Sequence, residues 1–519
     1  MGKLPESSKK YLFLLFLPLI GWLVYVDFYH AASQVYFVSY PYHLESGEGY
    51  VLFQTMQIKK GVFPYGAVDG NTTYLINNYP PVFHLICAML DPLFDAPFAQ
   101  GRAVTFVSTI GMCLIMGLVC YLFTSDILLS LLCGLSLPSI PALFWTQRYY
   151  RVDAPAIFLS LLGAYFFLRW LKRESRFLEY ASILCFMLAL YTKHNSIYAP
   201  VAAVVSLFAH NHPGKWRYLF RLGLVAVLPG LILTLSTSGR FIEHLFFYTS
   251  GGFVLNKKVA GLVFQTCMQL SAFLLPAFVI IVIYCKKLRF DRRWTFLTAY
   301  FFISVCSVVL IFIDGAWDQY LVEFAALTII TGSAALSLIL RALKPPSAWI
   351  AATAACGMLL AGYVMPWNSG MPSELSNMRG FRKIFGEQKR IQKDILERVN
   401  AVPGRVLCQH INYNVLTGKN PEWNPLMSKR LAERNIISNQ QIIDDIRAKK
   451  FDLIILEFYL DSLRKRVVGN EVYINLLPDP IFYAIMESYY TVPEKSHIPT
   501  HGNLADKKTV LYPRKLNHP

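Results

Sequence analysis

The sequence predicts a mainly α-helical, polytopic membrane protein with about eleven transmembrane helices and a small α/β domain at the C-terminal end. Of its 519 residues, 55% are hydrophobic and 15% aromatic, and the mean hydropathy is +0.41. A soluble globule could not carry this composition without exposing a large apolar surface. The apolar residues also recur in runs of about 20, which is the helix length that a bilayer core about 30 Å thick requires. The chain is therefore expected to lie largely in lipid.

The boundaries of the expected helices follow from charged residues, prolines and glycines between the apolar runs. The predicted spans are 11–30, 101–123, 127–146, 154–170, 177–192, 195–210, 219–237, 260–285, 294–313, 319–341 and 347–366. The first is interpreted as an uncleaved helix, because no small-residue cleavage site follows it. The apolar stretch 82–93 is too short to span and is expected to be re-entrant or interfacial. Residues 1–366 are thus predicted to be a membrane domain with a long first external loop, 31–100.

The positive charge is distributed as membrane orientation requires. The net charge is +17, and the Lys and Arg side chains cluster in alternate loops, at 172–176, 215–221, 286–293 and 341–344. The positive-inside rule makes that side cytoplasmic. The pattern argues against a nucleic-acid partner, and it predicts a protein of the plasma (inner) membrane whose first loop lies outside the cytoplasm.

Residues 367–519 change character and predict an extracytoplasmic α/β domain. Short β-like runs occupy 405–408 and 451–456, with amphipathic helices expected at 440–449 and 478–489. The ten cysteines are spread singly with no CxxC pair. The sequence therefore indicates neither a disulfide framework nor a zinc site.

The first candidate catalytic residues lie in an acidic segment of the first external loop. Glu45 and Glu48 lie three residues apart, so both carboxylates could face one site if a helix starts near Ser46. Together with Asp153 they could act as a general base or hold a divalent cation such as Mg²⁺ or Mn²⁺. The alternative is structural: Ser46 caps the helix and the helix dipole favours the acids.

Two further elements are expected on the same face. Residues 77–81 form a rigid polar turn with Asn78 and Tyr79 ahead of two prolines, which could be a site wall or a purely structural turn. Arg151 and Asp153 precede a span; they could belong to the site, or to an interfacial belt with the aspartate as a helix cap.

Other ionisable residues at the external helix ends are candidates for substrate binding, although each basic one could simply reach the membrane interface. Glu323 is the hardest to dismiss, because it lies about one turn inside an apolar helix, where a carboxylate is costly. The loop 239–259 could close over a substrate or merely connect two helices. The full set of candidates here is Arg102, Lys193, His194, Glu243, His244, Asp318 and Glu323.

In these residues the chain resembles the GT-C superfamily of polytopic glycosyltransferases, close to protein O-mannosyltransferases and aminoarabinose transferases. The similarity runs through the segments 45–49, 78–81, 151–153 and 320–323. Such enzymes take a sugar from a polyprenyl-phosphate carrier and transfer it, on the external face, to a lipid, glycan or protein acceptor.

The resemblance implies roles for individual residues. Glu45 and Glu48 match the acidic first-loop motif, in which an Asp usually acts as base, so either could be the base here. Asp153 matches a second-loop acid that orients the acceptor or a metal. Arg102, Arg151, Lys193 and His194 are the implied partners of the carrier phosphate. The resemblance implies a single inverting displacement. The alternative is a transporter or flippase, with Asp153, Lys193 and Glu323 along its path.

Overall fold

The computed structural model describes residues 6–68, 75–144, 146–255, 257–287, 291–313, 316, 318–370, 378–456, 479–492 and 509–513. The protein is mainly helical (74%). Up to residue 370 the helices are α1 (Glu6–Val38), α2 (Glu48–Lys59), α3 (Val82–Leu90), α4 (Ala99–Thr124), α5 (Ile127–Ser136), α6 (Asp153–Arg173), α7 (Arg176–Thr192), α8 (Tyr198–Ala209), α9 (Lys215–Ser236), α10 (Arg240–Ile242), α11 (Lys257–Gln269), α12 (Ser271–Lys287), α13 (Arg292–Leu310), α14 (Leu321–Ala342) and α15 (Pro345–Gly370). Short 3₁₀ turns occupy Asp91–Leu93, Pro141–Leu143 and Asp318–Tyr320, and a π-helical turn follows α10 at Glu243–Phe247.

Among the described residues, seven helices are long and apolar enough to cross a membrane, or eight if the bent pair α11 and α12 forms one span. Each of the eleven predicted segments is at least partly helical, but α5, α7 and α8 have only 10, 17 and 12 residues. Helix α5 stops at Ser136 because Pro138 and Pro141 follow, and proline cannot continue a helix. The chain is an integral membrane protein, and the count of about eleven spans stays a prediction.

Helix α14 forms the centre of the membrane part. In its apolar window 94% of the residues are buried inside the protein, whereas none are in α9, which lies at the periphery. Small residues allow close packing around α14: a Cβ on Gly332 would lie 2.3 Å from the carbonyl oxygen of Phe273 in α12. Such small-residue contacts are a common way for membrane helices to associate.

The basic helix ends gather at one end of the bundle. Arg217 and Arg221 of α9 both pair with the buried Glu179 at the start of α7. Arg293 and Arg341 donate to backbone carbonyls at the end of α4, those of Leu122 and Thr124. The ends of α1 and α7 and the starts of α4, α6 and α14 meet at the opposite end. The expected separation of basic loops from the candidate site is therefore present in the fold.

The C-terminal region (residues 378–456, 479–492 and 509–513) combines helices with a sheet. Its helices are α16 (Met378–Ala401), α17 (Asn412–Leu416), α18 (Pro425–Glu433), α19 (Gln440–Arg447) and α20 (Asp479–Ser488). Its strands are β1 (Arg405–Cys408), β2 (Phe451–Leu456), β3 (Tyr489–Val492) and β4 (Thr509–Pro513). The two predicted strands and the two predicted amphipathic helices are confirmed within two residues. Helix α16 and strands β3 and β4 were not predicted.

The sheet has the order β1, β2, β4, β3. Strands β1 and β2 pair in parallel, and the other neighbours are antiparallel. Alternate residues of β2 enter two different cores: Ile454 packs with α18, α19 and α20, and Ile455 packs with α16. Strand β2 is thus covered on both faces, which explains why its residues are apolar apart from Asp452.

Candidate active site

The acidic loop (residues 43–49) lies between α1 and α2, includes the first two residues of α2, and contacts the segment before α6 through Glu48 and Tyr150. Helix α2 begins at Glu48 with Gly47 as its N-cap residue, and no side chain caps it. The Ser46 hydroxyl instead donates to Glu45 Oε1 over 3.0 Å. The alternative in which Ser46 caps the helix is therefore wrong.

Glu48 and Arg102 form a fully buried ion pair with two parallel hydrogen bonds. The guanidinium donates from Nε to Oε1 over 2.9 Å and from Nη2 to Oε2 over 2.7 Å. The same carboxylate accepts from the backbone N–H groups of Leu44 and Tyr150. Both side chains are 0% exposed.

The remaining N–H groups of Arg102 hold the end of α1 and the turn that follows it. They donate to the carbonyl oxygens of Phe37, Tyr40 and Tyr42 over 2.7 to 2.9 Å. With the two bonds to Glu48, all five guanidinium N–H groups are in use. Neither side chain has a polar group left for a substrate in this arrangement.

Glu45 pairs with a different arginine. Its carboxylate lies 3.1 Å from Arg151 Nη2, and the two side chains are 21% and 16% exposed, so that a substrate could reach them. Burial alone would lower the pKa of Arg151, but Glu45 and the other acidic groups around it together outweigh burial, and the pKa is raised. Arg151 is therefore a permanent cation.

Gly47 allows the close approach of Arg151 to the acidic loop. A Cβ at this position would lie 2.7 Å from three guanidinium atoms of Arg151, Cζ among them. Only glycine leaves room for this contact, which gives a steric reason for a glycine at position 47.

Asp153 and Lys193 form the second ion pair of the site. Lys193 Nζ lies 2.6 Å from Asp153 Oδ1, and the side chains are 11% and 3% exposed. The ammonium also lies 4.1 Å from the centre of the Tyr320 ring. Burial opposes the charge of Lys193, yet Asp153 raises its pKa above the ordinary value. The alternative in which Asp153 caps the helix is not observed, since its side chain makes no cap hydrogen bond and accepts from Lys193 instead.

The turn 77–81 forms one wall of this cluster. The Tyr79 hydroxyl lies 3.5 Å from Arg151 Nη1, and Tyr79 is close enough to Asp153 and Lys193 for all three to influence its pKa. Burial raises the pKa of Tyr79 to about 12, so that the hydroxyl stays protonated. The backbone of Asn78 contacts the ring of His194, whose pKa burial and Lys193 lower to about 4. His194 is therefore neutral at pH 7.

The two acids near the start of α14 lie beside the cluster. Asp318 interacts electrostatically with Glu45, Arg151 and Asp153. Glu323 is 5% exposed, accepts a hydrogen bond from Tyr300 over 2.7 Å and lies within the field of Lys193. The expectation that Glu323 faces the bundle interior is thus confirmed.

Glu243 and His244 lie in the π-helical turn, behind the wall rather than in the cluster. His244 Nδ1 accepts from the backbone N–H of Asn77 over 3.0 Å, and Nε2 contacts the carbonyl oxygen of Gly66 over 2.8 Å. Burial lowers the pKa of His244, which keeps the ring neutral. Glu243 accepts from Tyr248 over 3.0 Å. These contacts support the turn at 77–81.

Several buried polar atoms of the cluster have no hydrogen-bond partner among the described residues. They are Asn78 Oδ1, Asp153 Oδ2 and His194 Nδ1. Most buried polar atoms in folded proteins have a partner, so each exception needs a reason. A polar ligand between the two ion pairs would satisfy them.

The carboxylates are not arranged as a metal site. Among the described residues, no group of three or more His, Cys, Asp or Glu side chains could hold a metal ion. Glu45, Glu48 and Asp153 each pair with a cation of their own. The expected divalent cation therefore finds no support in these contacts.

The fold is similar to that of two solved glycosyltransferases. ArnT of Cupriavidus metallidurans, the aminoarabinose transferase, was solved bound to undecaprenyl phosphate; it gives a TM-score of 0.57 at 10% identity, covering 95% of this chain and 98% of ArnT. Its apo form gives 0.58 at 12% identity, covering 95% and 97%. The apo oligosaccharyltransferase of Archaeoglobus fulgidus gives 0.50 at 10% identity, covering 84% and 69%.

The expected resemblance to the GT-C superfamily is confirmed in the fold, since both proteins belong to it. No known family profile and no curated protein sequence matches the chain. At these identities the similarity defines the architecture, and the chemistry has to be argued from the site.

Proposed function

We propose that the chain is a membrane glycosyltransferase that moves a sugar from a polyprenyl-phosphate carrier to a lipid, glycan or protein acceptor. The observation that carries the proposal is the Glu45–Arg151 pair beside the Asp153–Lys193 pair. This arrangement supplies a reachable carboxylate next to fixed cations. The architecture shared with ArnT, which was solved with undecaprenyl phosphate, supports a polyprenyl-phosphate donor.

Glu45 is the proposed general base. An acceptor hydroxyl would lose its proton to the Glu45 carboxylate while its oxygen attacks the anomeric carbon of the sugar. The bond from that carbon to the phosphate oxygen breaks, and the phosphate leaves with the electron pair. A single displacement of this kind inverts the anomeric configuration. Glu48 is less suited, because its carboxylate already accepts four hydrogen bonds.

Arg151 and Lys193 are the proposed donors to the leaving phosphate. Lys193 Nζ has three N–H groups, of which Asp153 takes one, and Arg151 keeps donors beyond its contacts with Glu45 and Tyr79. Charged donors held in place before the reaction stabilise the negative charge as it develops. Arg102 has no donor to spare, so we propose a structural role for it. Neutral His194 would contribute a hydrogen bond at most.

Asp153 holds Lys193 and is proposed to orient the acceptor through its free oxygen. Asn78 and Tyr79 would bind the sugar from the opposite wall. Asp318 and Glu323 complete the polar lining. We propose that this end of the bundle, with the C-terminal region, faces away from the cytoplasm of a plasma (inner) membrane, since the basic helix ends lie at the opposite end.

The proposal is tested by mass spectrometry of lipids from cells that lack the protein. A sugar-bearing polyprenyl phosphate should accumulate in these cells, and one glycosylated product should disappear. Wild-type protein should restore both, and Glu45→Gln should restore neither. Gly66→Ala is a matched control, because a Cβ there meets nothing within 4 Å. An unchanged set of polyprenyl-phosphate lipids in the deletion strain would refute the proposal.

A further inference from the structure

We infer that the C-terminal region completes the candidate site, and that Asn412 is a positioning residue for Glu45. The inference rests on the proposed function insofar as Glu45 is the base. It identifies a residue more than 360 positions away from Glu45 in the chain as part of the site's support.

Asn412 is fully buried at the start of α17 and lies against the acidic loop. Its Nδ2 donates to the carbonyl oxygen of Ser46 over 3.4 Å. A Cβ on Gly49 would lie 2.0 Å from Asn412 Oδ1 and 3.0 Å from its Cα. Helix α17 can approach the start of α2 this closely only because residue 49 is glycine. The bond holds the peptide unit between Ser46 and Gly47, one residue beyond the proposed base.

The C-terminal region also holds the loop on the other side of Glu45. Gln392 of α16 donates to the carbonyl oxygen of His43 over 3.2 Å. The ring of His43 meets the ring of Tyr413 edge to face, with 5.2 Å between the centroids. The acidic loop is therefore held at residues 43 and 46, on both sides of the proposed base.

The same region reaches the opposite wall of the site. Arg434, directly after α18, donates to the carbonyl oxygen of Phe247 and to Ser250 Oγ, and Arg430 of α18 donates to the carbonyl oxygen of Thr249. These acceptors follow His244, which holds the turn at 77–81. Both walls of the site thus contact the C-terminal region, so the position of Glu45 relative to Tyr79 depends on that region.

Hydrogen–deuterium exchange of the full chain in detergent tests the contact without an activity assay. Asn412→Ala should increase exchange in peptides that cover residues 43–51 by several-fold. Asn414→Ala is the matched control: Asn414 lies in the same helix and is equally buried, but it donates to Val406 and Asn420 within the C-terminal region. Equal protection of the acidic loop in Asn412→Ala and wild type would overturn the inference.

Kinetics then separate positioning from general stability. With the donor lipid recovered from deletion cells, Asn412→Ala should lower kcat by about tenfold or more and leave KM for the donor nearly unchanged, because a small misplacement of a reacting group is costly. Gly49→Ala should lower kcat in the same way, because its new Cβ would push against Asn412 from the acidic loop. This variant tests the contact even if Asn412→Ala fails to fold. The double variant should regain part of the activity, since Asn412→Ala removes the atoms nearest the new Cβ.

Identical kinetics for the Asn412 and Asn414 variants would overturn the positioning role. If Asn412→Ala loosens the loop while Glu45→Gln remains fully active, the contact stands and the proposed base is wrong. The two failures are therefore distinguishable.

Discussion

Arg102 binds Glu48 through two parallel hydrogen bonds at a site with no solvent exposure, and the pair joins four segments of the chain. It connects the end of α1, the acidic loop, the start of α4 and the loop before α6. An acidic loop that is held this firmly can present Glu45 in one position.

Arg102→Met should lower the free energy of unfolding by about 3 to 5 kcal/mol, because it leaves the Glu48 carboxylate buried without its partner. Arg102→Lys should also destabilise the protein, since an ammonium cannot replace five N–H groups in a planar fork. Thermal unfolding in detergent measures both. The control is Arg398→Lys at the exposed Arg398–Asp394 pair, where a change of less than about 1 kcal/mol is expected. An unaltered unfolding temperature in Arg102→Lys would contradict the structural role.

Glu45→Gln should lower kcat by about 10²- to 10⁴-fold, the usual contribution of a positioned general base. Its unfolding temperature should stay close to that of wild type, because the Glu45–Arg151 pair is partly exposed. Glu48→Gln should show the opposite pattern, with a clear loss of stability. Single-turnover rates and thermal unfolding of the two variants measure the two effects. If Glu48→Gln lost activity at normal stability and Glu45→Gln lost stability, Glu48 would be the base and Glu45 the structural acid.

Lys193→Met should weaken binding of undecaprenyl phosphate by about tenfold or more, since a hydrogen bond to a charged group contributes about 1.5 to 3 kcal/mol. Native mass spectrometry of the purified chain with this lipid measures the effect. Lys59→Met removes the lysine of an exposed ion pair with Asp91 and should leave binding unchanged. If both variants bind the lipid as wild type does, Lys193 does not contact the phosphate.

Gly47→Ala should reduce turnover while leaving the fold intact. The new Cβ would displace the Arg151 guanidinium, and a displacement of about 1 Å can cost about 10²-fold in rate. Gly66→Ala adds the same methyl group where nothing lies within 4 Å and should be neutral. Full activity in Gly47→Ala would show that the observed position of Arg151 is not needed.

His194 should make the free energy of unfolding depend on pH in the acid range. Its pKa is about 4 in the folded protein, below the ordinary value of 6.5, so the unfolded chain binds the proton more readily. The free energy of unfolding should therefore decrease as the pH falls from about 6.5 towards 4, and His194 should add no pH dependence above 6.5. His194→Gln should show a shallower fall between pH 7.5 and 5 in thermal unfolding. A slope identical to that of wild type would argue against a neutral, buried ring.

Much of the fold could be predicted from composition and periodicity, because helices in lipid and strands buried on both faces leave direct apolar patterns. Segment 451–456 is an example: its apolar run, interrupted only by Asp452, predicted β2 to the residue. Helix α16 was missed because charged residues separate its apolar ones, although Phe381, Phe385, Ile395 and Val399 recur at helical spacing and form a buried face. The ends of α5 and α8 were placed too far out, because hydropathy measures apolarity and not where a helix stops.

The sequence suggested the candidate residues of the site one by one, but not which of them form ion pairs. Spacing suggested that Glu45 and Glu48 share one function, whereas the fold gives each its own arginine. Arg102 has no N–H group left for a substrate, because backbone carbonyls accept those that Glu48 does not, whereas Arg151 keeps free donors. No sequence motif encodes the position of those carbonyls. Asn412 left no signal in the sequence, because its partners at Ser46 and Gly49 are distant in the chain.

The most direct measurement of the central claim is sugar transfer by the purified full-length chain in lipid vesicles, with the donor lipid extracted from deletion cells. Release of free polyprenyl phosphate is followed by mass spectrometry. We expect release with wild-type protein, and with Gly66→Ala at the wild-type rate, but a loss of at least about 10²-fold with Glu45→Gln. Equal release by Glu45→Gln and wild type, or movement of the intact donor across the membrane with no release at all, would contradict the account.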